Sequence, residues 1–193
     1  MSPRTLLLPA TAIEADAARR SGGPRRMKTI FLLRHAKSDW GAASDSDHER
    51  PLNERGRKAA ALIGDYLARR GELPDRVISS SAVRARETIR LAAQSGRWPC
   101  PIDTTPELYE TSPDRVLQLI RRQSDSLQRL LLVGHQPTWS LLVDELVGGA
   151  DVKLPTAAVV RIDVPVEHWR EVGCGAGNLI WRVTPKQLLQ SGR

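Results

Sequence analysis

The sequence predicts an α/β fold: a three-layer α/β/α sandwich around a mostly parallel central sheet. From Met27 onward, short β-rich runs alternate with amphipathic helical patterns, which is how a sheet with covering helices is written. Two of those runs, Lys28 to Leu33 and Leu130 to Val133, are almost continuously apolar, as strands covered on both faces must be. The chain has 193 residues, 40% hydrophobic and 26% charged, with two cysteines, which suits one ordinary domain. At this length about 70% of the unfolded surface is buried on folding, so neither a disulfide nor a metal is needed to hold a core.

The elements follow in order. After the first strand, Asn53 is placed to cap a helix over Glu54 to Arg70. Its apolar positions Ala60, Ile63 and Leu67, beside Ala59, Leu62 and Tyr66, recur at three- and four-residue steps, and Gly71 ends it. A strand over Arg76 to Ser80 leads into a helix over Val83 to Gln94. Ser112 caps the next helix, Pro113 takes its first turn, and Val116, Leu117 and Ile120 form its stripe. The Leu130 to Val133 strand ends in Gly134-His135 and a helix from Pro137 to Val147. Strands over Ala157 to Val164 and over Leu179 to Val183, with Trp181 at its centre, complete the sheet; their polarity and the sheet edges are not set by the pattern.

Charge is the unusual feature: 29 Lys plus Arg against 22 Asp plus Glu give +7 and a pI near 10.1. Residues 1–26 hold five arginines against Glu14 and Asp16, so three of those charges lie in a segment that ends in the linker-like Ser21-Gly22-Gly23-Pro24. Residues 1–26 are therefore read as a disordered or start-site extension, 27–186 as the folded domain and 187–193 as a C-terminal tail. Leu6-Leu7-Leu8 is too short for a signal peptide, and Glu14 and Asp16 count against a transit peptide. No apolar run approaches the ~18 residues of a membrane span. Cys100 and Cys174 stand far apart without a CxxC, as unpaired thiols of a reducing compartment do. A soluble cytoplasmic protein without a membrane partner is expected. His48 and His168 have no second ligand at metal spacing, and GxxxxGK[ST] and GxGxxG are absent, so neither a metal nor another cofactor is expected. Trp40, Trp139, Trp169 and Trp181 are scattered rather than interleaved with basic residues, which argues for core or pocket walls and against a nucleic-acid partner.

Two histidines occupy matching positions, His35 after the first buried strand and His135 after the Leu130 to Val133 strand. Ligands of open α/β sheets bind beyond the carboxyl ends of parallel strands, so the two imidazoles are expected to converge. Arg34 ends an apolar strand, where a guanidinium is costly without a counter-ion such as phosphate. In Ser79-Ser80-Ser81-Ala82-Val83-Arg84-Ala85-Arg86-Glu87-Thr88 a strand again opens a helix, whose free N–H groups favour an anion and which brings Arg84 to the same edge.

Leu33-Arg34-His35-Ala36-Lys37-Ser38 resembles the RHG signature of the histidine phosphatase superfamily. Arg84-Ala85 with Thr88 resembles its second arginine motif, and Gly134-His135 its second histidine motif. The short domain, with Asp47-His48-Glu49-Arg50-Pro51-Leu52-Asn53-Glu54-Arg55-Gly56 after the first motif, is most similar to SixA-type phosphohistidine phosphatases. The resemblance implies a phosphoglycerate mutase-like fold for residues 27–186 and a metal-independent phosphatase. His35 is then the nucleophile, and Arg34, Arg84 and His135 bind the phosphoryl oxygens with Arg50 as a further contact. It implies a phosphorylated protein histidine, or a small phosphorylated substrate, as the partner. Glu107, in Pro106-Glu107-Leu108-Tyr109-Glu110, is the nearest match to the family's general acid, and a solvated loop glutamate is its other reading. Ala36 stands where the wider family has Gly, which asks for ordinary backbone angles there. A metabolite phosphatase using the same site, and a basic non-catalytic binding module, stay open as alternatives.

Overall fold

A computed structural model describes residues 27–44 and 46–191. The expected extension, 1–26, and the last two residues of the expected tail lie outside the described residues. The strands are β1 (Lys28–Arg34), β2 (Arg76–Ser80), β3 (Ile102–Thr105), β4 (Arg129–Gly134), β5 (Val159–Val164) and β6 (Asn178–Val183). The helices are α1 (Glu54–Arg69), α2 (Val83–Gly96), α3 (Pro113–Arg121), α4 (Thr138–Val147) and α5 (Pro185–Ser191), with single 3-10 turns at Pro106–Leu108 and Trp169–Glu171.

The six strands form one sheet in the order β3-β2-β4-β1-β5-β6. The pairings among β3, β2, β4 and β1 are parallel; β5 runs antiparallel to β1, and β6 antiparallel to β5. The mostly parallel α/β sandwich is as expected. β1 shows why its sequence is apolar throughout. Ile30 and Leu32 enter one core with Ile120, Trp139 and Trp169, while Phe31 and Leu33 enter the other with Ile63 and Leu67. β4 alternates likewise, Leu130 and Leu132 to one side, Leu131 and Val133 to the other. Each such fully buried side chain contributes about 1.5–3 kcal/mol relative to exposure.

Local chemistry sets the helix starts. The Asn53 side chain accepts from the Gly56 N–H at 2.8 Å, and Ser112 caps α3 ahead of Pro113. α1 and α2 approach backbone to backbone, since a Cβ on Gly64 would lie 1.9 Å from the Ala92 carbonyl oxygen. Two elements were not anticipated: β3, and α5, which crosses the boundary drawn at 186/187. Among the described residues no helix is long and apolar enough to cross a membrane. The carboxyl ends of β1, β2 and β4 share one edge of the sheet, and the predicted site residues gather there.

Candidate active site

β1 and β4 pair in parallel with Arg34 opposite Gly134, and the His35 N–H donates to the Gly134 carbonyl at 3.0 Å. The register therefore makes His35 and His135 lateral neighbours, with ring centroids 5.0 Å apart. His35 is only 8% exposed. Its Nδ1 lies 2.8 Å from the Ala36 carbonyl oxygen, which can only accept, so Nδ1 carries the proton and Nε2 keeps a lone pair. Burial, with the charges of His135, Arg84 and Arg34, outweighs the Ala36 bond and takes the His35 pKa from 6.5 to about 3. The ring is neutral at ordinary pH. Ala36 is buried, does not have a positive φ, and donates its N–H to Thr88 Oγ1 at 2.9 Å, so alanine is accommodated without strain.

His135 follows β4, with its Nδ1 3.4 Å from Arg84 Nη2. A guanidinium can only donate, so the ring proton sits on Nε2, which donates to Ser80 Oγ at 2.8 Å. Burial first, and then the Arg84 charge, lower its pKa from 6.5 to about 4. The strand end is packed tightly there, since a Cβ on Gly134 would sit 2.5 Å from the Trp139 ring.

Three arginines surround the imidazoles. Arg34 donates Nη1 to the Leu154 carbonyl at 2.9 Å, and burial lowers its pKa. Arg84 comes from the first turn of α2 and is buried, whereas Arg86 points to solvent. Arg50 donates Nη1 to Ser38 Oγ at 2.7 Å and stacks over Trp40, its guanidinium carbon 3.6 Å from the ring centroid. All three Nε–H groups are buried without a hydrogen-bond partner, as befits guanidiniums arranged for a further acceptor. At the start of α2, where free N–H groups are expected to favour an anion, two of them are engaged within the fold. The Val83 N–H donates to the His48 carbonyl at 3.0 Å and the Ala82 N–H to Ser80 Oγ at 3.3 Å, so the positive charge is supplied by the Arg84 side chain.

Arg34, His35, Arg50, Arg84 and His135 thus meet around one cavity of about 320 Å³, which Lys37, Ser38, Trp40, Gln136 and Thr156 also line. Glu107 is not brought to it. Its carboxylate accepts from Arg122 Nη2 at 2.5 Å in a separate depression formed with Pro106, Arg115 and Gln118. Asp47 was not singled out by sequence reasoning, although it lies within the quoted Asp47 to Gly56 stretch. It accepts from Arg50 Nη2 through Oδ1 and from Arg84 Nη2 through Oδ2 at 2.8 Å, and its backbone carbonyl accepts from Arg84 Nη1 at 2.5 Å. Burial raises its pKa, but the Arg50 hydrogen bond and the charges of Arg84 and Arg50 prevail and hold it below the usual carboxylate value. Ser38, Ser80 and Trp40, which orient Arg50 or His135, also carried no sequence signal strong enough to assign them. His48 bonds Ser81 and Glu49 and meets Tyr109 edge-on. Among the described residues no group of three or more His, Cys, Asp or Glu is placed to hold a metal ion.

A model of the histidine phosphatase superfamily (branch 1) matches residues 30–119, which include Arg34, His35, Arg50 and Arg84. An uncharacterised protein of Mycobacterium tuberculosis is 36% identical over 166 residues, covering 80% of this chain and 100% of that one. The chain belongs to the histidine phosphatase superfamily. Within reach of this histidine phosphatase is the phosphohistidine phosphatase SixA of Escherichia coli, 25% identical over 161 residues and covering 82% of this chain and 95% of SixA. A crystal structure described as a phosphohistidine phosphatase SixA of Agrobacterium tumefaciens superposes with a TM-score of 0.69 at 29% identity, covering 82% of this chain and 98% of that one. Superfamily membership and these relatives support phosphatase activity for the protein.

Proposed function

We propose that this histidine phosphatase is of the SixA type: a metal-independent enzyme that hydrolyses phosphohistidine on a protein through a phosphoryl intermediate on His35. The observation that carries the proposal is the His35 tautomer, a neutral imidazole whose Nε2 lone pair is left available beside three guanidiniums. Nε2 attacks phosphorus as the substrate P–N bond breaks, and the departing nitrogen takes a proton from solvent. Water then attacks phospho-His35, releasing inorganic phosphate and restoring the imidazole. Dividing the displacement into two steps, with fixed cations around the phosphoryl oxygens, lowers both barriers. Arg34, Arg84 and His135, with Arg50, are assigned to those oxygens, so the charge that stabilises the transition state comes from side chains. The bridging nitrogen of a phosphoramidate is protonated more readily than the bridging oxygen of an alkyl ester, which agrees with Glu107 standing apart on Arg122. The exposed Lys37 and Trp40 at the rim leave the cavity open to a phosphoryl group borne by a protein.

Hydrolysis of an aryl phosphate is the direct test. Turnover should persist in chelator and vanish in His35→Ala, with acid-labile, base-stable phosphate trapped on the wild-type chain; wild-type turnover in the variant overturns the proposal. Rates on a phosphohistidine protein, sugar phosphates and nucleotides then separate the substrate classes. A preference for a sugar phosphate or nucleotide would keep the His35 chemistry and reject the SixA-type assignment.

A further inference from the structure

Beside the basic cavity lies a second one of about 450 Å³, and the two share Arg84, His135 and Gln136. Their electrical characters are opposite. The charged side chains of the first are Arg34, Lys37, Arg50 and Arg84, whereas the second adds the carboxylates of Asp47 and Glu110 to Arg84. Asp47 is tied on one side to Arg50 and Arg84, receives the Tyr109 hydroxyl at 3.2 Å, and remains 49% exposed. Tyr109 also packs edge-on against His135, its ring centroid 5.5 Å away, so the second cavity begins where the proposed phosphoryl site ends. Arg84 is 5% exposed, lines both cavities, and keeps a buried Nε–H without a partner.

We propose that the second cavity receives the part of the substrate that is not transferred, and that Asp47 makes it select a hydrogen-bond-donating, neutral or cationic group over an anionic one. The inference rests on the phosphatase reading and goes beyond it by assigning a specificity determinant. A phosphoryl dianion meets the arginines, while an N–H donor attached to it meets the Asp47 carboxylate. Nitrogen-linked phosphates and phosphates carrying an ammonium group fit this division. A substrate with a carboxylate beside its phosphate is repelled by Asp47 and Glu110.

Three aryl phosphates of similar size test it: 4-(aminomethyl)phenyl, 4-methylphenyl and 4-carboxyphenyl phosphate, compared by kcat/KM in wild type, Asp47→Asn and Asp47→Glu. Comparing each variant with wild type cancels the intrinsic reactivity of the leaving groups. In Asp47→Asn the ratio of the cationic to the anionic probe should fall about fivefold or more, mainly through KM; one unit charge at contact distance in water changes each probe's binding by about fivefold, in opposite directions. Asp47→Glu should keep most of the wild-type ratio. An unchanged ratio in Asp47→Asn, or an equal loss on all three probes, overturns the assignment, the latter reducing Asp47 to a positioning residue for Arg50 and Arg84. Failure of the wild type to hydrolyse any probe would instead overturn the phosphatase reading, and this inference with it.

Discussion

Lowering the pH from 7.5 to 5 should destabilise the fold through its two strand-end histidines. Burial takes His35 to about 3 and His135 to about 4 from an ordinary 6.5, so both are essentially unprotonated in the fold at pH 5. In the unfolded chain each binds a proton as the pH falls through 6.5. Stability is lost wherever the unfolded state binds more protons, so the loss begins below 6.5 and grows until the folded values are reached. At pH 5 the cost is set by the distance from 6.5, about 2 kcal/mol for each imidazole at about 1.4 kcal/mol per pH unit, and it hardly depends on how far below 5 the folded values lie. Together the pair removes about 4 kcal/mol, a large share of the roughly 5–15 kcal/mol that holds a typical domain together. Urea unfolding at both pH values, for wild type and His35→Gln, reads the effect directly. Between pH 7.5 and 5 the variant should lose about 2 kcal/mol less than wild type. Equal losses in the two proteins would refute the reasoning, because His35 would then titrate alike in the folded and unfolded chains.

Other expectations follow from single contacts. Glu107→Gln should change kcat/KM by less than about twofold on aryl phosphate and phosphoramidate alike, because its carboxylate is engaged with Arg122; a selective loss on the aryl ester would place the acid there after all. In Gly134→Ala the new methyl meets the Trp139 ring at 2.5 Å, so thermal or urea unfolding should register a loss of about 1–3 kcal/mol, with reduced turnover as His135 is displaced. Arg84→Lys keeps the charge but loses the planar fork shared by Asp47 and the proposed phosphoryl site. It should lower kcat/KM about tenfold or more, and near-wild-type kinetics would remove Arg84 from that site.

What could be read in advance divides along physical lines. β1 and β4 were legible because each feeds two cores, Ile30 and Leu32 on one side and Phe31 and Leu33 on the other, which leaves no polar position to blur the pattern. β3 was not, since Ile102, Asp103 and Thr104 are all exposed at the sheet edge and present no apolar face to the sequence. His35, His135, Arg34 and Arg84 were legible for a related reason: each lies within a few residues of a strand end, so the sheet alone carries it to the edge. Ser38, Trp40 and Asp47 depend on the path of the chain between β1 and α1, which no periodicity dictates. Glu107 shows the limit of motif matching. Its place in the chain suits an acid, but its carboxylate pairs with Arg122 in a separate depression. At the α2 N-terminus the pattern shows the helix start but not that a carbonyl and a hydroxyl of the fold take the Val83 and Ala82 N–H groups.

The lateral pairing of β1 with β4 has a bearing on how the site can change. The gap between the two imidazoles is inherited from the spacing of adjacent strands, about 4.8 Å, and the observed 5.0 Å hardly departs from it. The ladder fixes the two backbone positions, and the Ala36, Ser80 and Arg84 contacts fix the rings on them, so tolerance for remodelling is concentrated in the loops around the site. Grafting a different β1–α1 connection, with Asp47 replaced and the rim reshaped, is therefore a route to new substrates that leaves the distance between the two rings where the sheet has set it.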